Sequence, residues 1–166
     1  MAEPPVPSQP TDPGLEEKVA FLREVSLFEY LDKQGMTRLA SRVREVTLPA
    51  GHVLKENEPP DGLYIIRSGL VKVTKPAASH RAEVDLAVLG RGKFFGEIGL
   101  IDGLPRSASV TALEATECYF LPRPVYLTAV RENPEIALGM LPALAAMVRN
   151  ADQIAQTLLE MFLKDR

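Results

Sequence analysis

The residues of this chain best equipped for chemistry lie in one run, Phe94-Phe95-Gly96-Glu97-Ile98-Gly99-Leu100-Ile101-Asp102-Gly103-Leu104-Pro105-Arg106-Ser107-Ala108. Its pattern predicts a short helix through Ile98, Gly99, Leu100 and Ile101 that starts at Gly96. A glycine there leaves the free amides of the first turn open to close approach, and such amides attract anions. Arg106 stands nine residues after Glu97, placed by Pro105 at the entrance to the next extended run. Its guanidinium is a permanently charged fork suited to phosphate oxygens. Ionised Glu97 can only accept hydrogen bonds, which suits a donor such as a ribose hydroxyl. An anion cradle, a cation and a hydroxyl acceptor together fit the sugar-phosphate of a nucleotide. The two charges also fit a mutual salt bridge that tethers a loop, worth at most about 1 kcal/mol if exposed.

Other chemistries find less support. A metal site wants several converging His, Cys or carboxylate ligands, and the chain has only His52, just after a turn, and His80, in a polar loop. Neither has a ligand partner at a recognisable spacing. A serine-nucleophile elbow and a glycine-lysine phosphate loop are both missing. No enzyme and no cofactor is expected. Cys118 is alone on an apolar run and is expected to be a small core residue without a disulfide.

The elements that must position the run follow from periodicity and punctuation. Residues 1–14, with Pro4, Pro5, Pro7, Pro10 and Pro13, cannot bury enough surface to offset the entropy of ordering and are expected to be a disordered tail. Leu15, Val19 and Leu22 recur at helical spacing, and Ser26 is placed to cap a turn before Leu27, Phe28 and Leu31. A second helix carries Leu39, Ala40 and Val43 on one face. From about residue 46 to 121, short β-rich runs alternate with Gly and Pro turns: Val46–Leu48, His52–Lys55, Leu63–Arg67, Leu70–Thr74, Val84–Leu89, Ser107–Ala112 and Glu117–Leu121. Many short strands with tight turns argue for a barrel or jelly roll. Helical period then returns, with Pro124 in a first turn and Asn133-Pro134 as a stop.

The last segment spaces Leu141, Leu144, Val148, Ala151, Ala155, Leu158 and Phe162 three and four apart, a heptad seam that Met147, Ile154 and Met161 widen. Homodimerisation through this helix is expected; a helix packed on its own domain also satisfies the pattern.

The run Phe95-Gly96-Glu97-Ile98-Gly99-Leu100, followed by Pro105-Arg106-Ser107-Ala108, resembles the phosphate-binding cassette of the cyclic nucleotide-binding domain family. That family includes bacterial catabolite activators, regulatory subunits of cAMP-dependent protein kinase and cyclic nucleotide-gated channels. The likeness extends from about Ser26 to Ile154, through Pro49-Ala50-Gly51-His52-Val53-Leu54, Gly62-Leu63-Tyr64-Ile65-Ile66, Ser68-Gly69 and Gly92-Lys93-Phe94. It implies a mainly β fold with flanking helices: an eight-stranded β-roll, or double-stranded β-helix of jelly-roll type, with N-terminal helices and a long C-terminal helix. It implies a binding domain over residues 15–155, with 156–166 ending a dimerisation helix.

In that family Glu97 would accept from the ribose 2′-hydroxyl, Arg106 would pair with the cyclic phosphate, and amides near Gly96, Ile98 and Ser107 with the Ser107 hydroxyl would complete the cradle. The site set is Gly96, Glu97, Ile98, Gly99, Arg106, Ser107 and Ala108, with Asn150 over the base. Arg149, Asn150 and Asp152 also fit the solvated edge of a helix. The implied ligand is cAMP in preference to cGMP, bound by a regulatory domain with an effector protein; a degenerate, ligand-free interaction module is the alternative.

A formal charge of −3 and a pI near 5.5 provide no basic footprint for nucleic acid. Only Lys164, Asp165 and Arg166 follow the seam, which leaves no room for a DNA reader. No apolar run approaches the roughly 20 residues that span a bilayer, and no signal core stands at the start, so a cytoplasmic protein is expected. A free-standing sensor and one piece of a longer chain fit equally.

Overall fold

A computed structural model describes residues 13–76 and 82–164, with the backbone alone at 13, 157–159, 161, 162 and 164. Two N-terminal helices, α1 (Pro13–Arg23) and α2 (Lys33–Ala40), precede the strands β1 (Arg44–Leu48), β2 (Val53–Leu54), β3 (Gly62–Ser68), β4 (Val71–Pro76), β5 (Glu83–Leu89) and β6 (Phe94–Phe95). A short helix α3 (Glu97–Asp102) interrupts them before β7 (Ser109–Ala112) and β8 (Thr116–Pro122). Two helices close the chain, α4 (Arg123–Glu132) and α5 (Glu135–Lys164). The strands form two antiparallel four-stranded sheets, ordered β1-β8-β3-β6 and β2-β7-β4-β5, the β-roll that the sequence resemblance implied.

The first sheet is apolar on both faces because it separates two cores. Leu63 and Ile65 of β3, with Tyr119 and Leu121 of β8, face the helices and pack with Leu22, Leu27, Phe28, Met36, Leu39 and Ile136. Tyr64, Ile66 and Cys118 face the other way, into the roll, against Val71, Phe95, Val110 and Ala112. Alternate residues of a strand point to opposite faces, so a strand wedged between two cores reads as an unbroken hydrophobic run. Cys118 is fully buried, and burial pushes its thiol up to about 12, in keeping with a core residue.

Several local expectations are corrected. Ser26 caps nothing: it opens a short 3₁₀ turn, Ser26–Phe28, whose N-cap position is Val25. The side-chain cap belongs to Asp32, which accepts from the Gly35 amide at 2.6 Å and starts α2. Val43 lies beyond α2 but is buried in the same core. The strand expected from Ser107 begins at Ser109, because the ladder with β4 starts at the Thr74–Ser109 pair. Phe94–Phe95, in the connection between two expected strands, forms a short strand of its own that pairs with Tyr64 and Ile65. The tail expected over 1–14 falls outside the described residues as far as 12, and α1 already starts at Pro13.

Candidate ligand-binding site

An open cavity of about 290 Å³ lies at the end of the roll, under α3 and the turn that leads into β7. Gly96, Glu97, Ile98, Gly99, Arg106, Ser107 and Ala108 all line it, so one site unites seven of the eight residues singled out in the sequence. Its apolar wall comes from Val73, Leu86, Ala87, Leu89 and Val110 of the second sheet, from Phe94 and Phe95, and from Met147 of α5. Asn150, expected over the base, is exposed and outside the cavity; one turn earlier on α5, Met147 takes the inward position.

Gly96 is the N-cap of α3 at φ 89° and ψ 2°, a left-handed conformation that side chains disfavour. A Cβ there would stand 2.5 Å from the Gly62 carbonyl oxygen and 3.7 Å from Arg106 Nη1. Only a glycine lets β6 turn into α3 this close to β3.

Arg106 is held at every level. Its N–H donates to the Glu58 carbonyl at 2.9 Å, and its own carbonyl accepts from Asn57 N–H at 3.0 Å. Nη2 donates to Asp61 Oδ1, and the guanidinium sits 5.6 Å from the centroid of the Tyr64 ring. Asp61 is itself anchored by Gly62 N–H at 2.8 Å and by the Tyr64 hydroxyl at 2.6 Å. Burial first, then that bond to the Asp61 carboxylate, hold the Tyr64 hydroxyl well above its ordinary range. The guanidinium is buried, yet Nη1 stays beside Gly96 at the cavity wall. The mutual Glu97–Arg106 salt bridge weighed from the sequence is therefore not formed; Asp61 is the partner.

Glu97 is 7% exposed, lines the cavity, and forms no salt bridge among the described residues. Burial raises its pKa above the usual carboxylate value, and its own backbone amide acts weakly the other way. Glu97 lines the same cavity as the anchored Arg106, so a donor entering the cavity can reach a carboxylate that no protein cation neutralises.

Asp61 and Tyr64 went unrecognised in the sequence. Asp61 reads there as turn punctuation before Gly62, because its partner lies 45 residues away. Met147 reads as one more apolar residue of a helix face.

The family profile described as "Cyclic nucleotide-binding domain" matches residues 45–133, more than half of the chain. The chain belongs to the cyclic nucleotide-binding domain family. This cyclic nucleotide-binding domain is 30% identical over 132 residues to the "CRP-like cAMP-activated global transcriptional regulator" of Mycobacterium tuberculosis, across 79% of this chain and 58% of that one. It superposes on the Thermus thermophilus catabolite activator protein with a TM-score of 0.74 and 32% identity, covering 80% of this chain and 62% of that chain. The regulatory domain of Toxoplasma gondii PKA, solved with cAMP, gives a TM-score of 0.67 at 29% identity, over 74% of this chain and 47% of that one. The domain thus spans under two thirds of the length of these relatives, which are regulators by name. The matched span includes every cavity residue outside α5.

Among the described residues no helix is long and apolar enough to cross a membrane, and no group of three or more His, Cys, Asp and Glu could hold a metal ion. His80 lies outside the described residues.

Proposed function

We propose that this domain is a cytoplasmic, non-enzymatic sensor that binds cAMP in preference to cGMP and converts occupancy into a movement of α4 and α5. The observation that carries the reading is the juxtaposition of anchored Arg106 with buried Glu97, which no protein cation pairs among the described residues, in the lining of one cavity. In this reading the cyclic phosphate sits between Arg106 and the amides near Gly96, Ile98 and Ser107, the ribose 2′-hydroxyl donates to Glu97, and the purine lies on the apolar wall. Among the described residues that wall offers no polar side chain for the exocyclic groups that tell the two purines apart, so discrimination rests on Ser107 and Ala108 and on fit. Calorimetric titration with cAMP and cGMP tests it: micromolar binding with cAMP tighter supports the sensor, and absence of heat with both favours a ligand-free interaction module.

Glu97 makes this binding pH-dependent. A carboxyl whose folded pKa is raised costs stability while ionised; that cost is fully present above the folded value and is lost as pH falls below the unfolded one. The free protein therefore gains stability from this group on acidification. A donating hydroxyl favours the ionised form, so ligand binding should release a proton, and affinity should weaken as pH falls, by at most about tenfold per unit. Glu97→Gln should bind more weakly with no such slope. An identical slope in that variant would assign the titration elsewhere.

Dimerisation through α5 is the second part of the proposal. Leu141 and Val148, seven residues apart, are each more than half exposed and form an apolar row along the helix, flanked by the equally exposed Ile154, while Leu144 packs on the domain. A second copy of α5 in a parallel pair fits that row. Sedimentation at micromolar concentration should show a dimer that Val148→Glu with Ile154→Glu converts to monomer; a parent chain that is monomeric throughout removes this part.

A further inference from the structure

One residue outside the cavity joins both of its polar sides to the C-terminal helices. Arg123 opens α4, and its backbone N–H donates to the Asp61 carbonyl at 3.0 Å. Its side chain reaches the other way, with Nε donating to the Leu100 carbonyl at 3.2 Å. The guanidinium lies on Gly103, where a Cβ would stand 2.9 Å from Nη2. Leu100 belongs to α3, the helix that begins with Glu97, and Gly103 is its left-handed C-terminal cap at φ 73°. Asp61 meanwhile holds Arg106 through its side chain. The first residue of α4 is thus bonded to the segment that grips the cation and to the helix that carries the carboxylate, yet it lines no part of the cavity.

We infer that Arg123 is a positioning residue that transmits the arrangement of the cavity to α4 and α5. The inference rests on the ligand reading above and names the link within it. An anion that draws Arg106 from Asp61 changes the balance of bonds on Asp61, whose carbonyl holds the α4 N-terminus. A shift of α3 acts on the same residue through Leu100. The cation suits the last carbonyls of α3, and the rigid guanidinium fork lets small displacements change its contacts. From α4 the movement passes the Asn133-Pro134 break, where Ile136 N–H donates to the Asn133 carbonyl at 3.1 Å and opens α5.

Hydrogen exchange across α4 and the first turns of α5 tests this in the parent chain, Arg106→Ala, Arg123→Met and the double variant, with no ligand present. Removing Arg106 strips Asp61 of its cation and leaves its bonds from Gly62 and Tyr64, as an anion that drew Arg106 away would. Exchange in α4 should change about fivefold or more on Arg106→Ala in the parent and less than about twofold when residue 123 is Met. Arg123→Lys, which keeps the cation, should restore part of the response and guards against a merely misfolded variant. Equal responses with and without Arg123 overturn the inference. Titration with cAMP judges the ligand reading separately: a parent that fails to bind removes that reading while the exchange cycle still decides the link. Arg123→Met should change affinity by no more than about tenfold, the reciprocal of the coupling it breaks. A larger loss would assign Arg123 to ligand binding itself and overturn its role as a link.

Discussion

Arg106→Ala should abolish most cyclic nucleotide binding while leaving the fold almost untouched. Truncation leaves Asp61 and Glu97 as carboxylates around a site meant for an anion, so the loss includes new repulsion as well as a lost pair. Removing one half of a buried charge pair typically costs about 2–5 kcal/mol, which is on the order of 30-fold or more in affinity. Stability should suffer far less, because Asp61 is 44% exposed and can hydrate once its partner is gone, and the backbone bonds of residue 106 to Glu58 and Asn57 survive the change. The melting temperature should fall by no more than about 4 °C, the equivalent of about 1 kcal/mol in a domain of this size. Arg106→Lys should fall between, since it keeps the charge and loses the two-pronged geometry. Calorimetric titration beside a thermal melt separates the outcomes. Full binding by Arg106→Ala would place the anion site elsewhere, and a collapsed melt would make Arg106 a structural residue first.

The largest effect on stability is expected at Gly139. This glycine lies inside α5, one residue before buried Met140, where α5 crosses the 3₁₀ turn Ser26–Phe28. A Cβ at 139 would overlap the Leu27 carbonyl, and backbone cannot swing aside as a side chain can. Gly139→Val should therefore force the helix off the core or push Leu27 out of it. Overpacking costs about 1–3 kcal/mol, and a clash with backbone belongs at the upper end, against a helix-propensity gain well under 1 kcal/mol. A melting temperature lower by roughly 6–12 °C is expected. Gly139→Ala should cost less, since its propensity gain of about 1 kcal/mol offsets part of the clash. An unchanged melt for Gly139→Val would mean that α5 does not rest on Leu27.

The two sites also show how legible the chain was. The cassette was readable because its chemistry is local: Gly96, Glu97, Gly99 and Arg106 lie within eleven consecutive residues, and the αL glycine, the short helix and the arginine after Pro105 each leave a mark in the sequence. Gly139 is illegible for the opposite reason. In the sequence it is one glycine five residues after Pro134, with nothing beside it to say whether it breaks a helix or admits a neighbour. The helix in fact breaks at Asn133-Pro134 and runs through Gly139, which is there to admit a neighbouring backbone. A glycine chosen for space and one chosen for φ look alike until the neighbour is known.

By itself, the sequence determined the short strands of a barrel or jelly roll, the run that lines the cavity, the turns at glycine and proline, and the period of the terminal helix, because alternation, helical spacing and backbone-restricted residues act over a few positions. Only the tertiary structure decided that Asp61 holds Arg106, that Glu97 stands buried in the cavity lining without a salt bridge to Arg106, that Met147 and not Asn150 lines the cavity, and that Arg123 ties α3 to α4. Each of these depends on which residues meet across long separations, as Asp61 meets Arg106 over 45 positions. A side chain's charge or polarity is legible in one dimension, but its partner is set by how the sheets and helices pack.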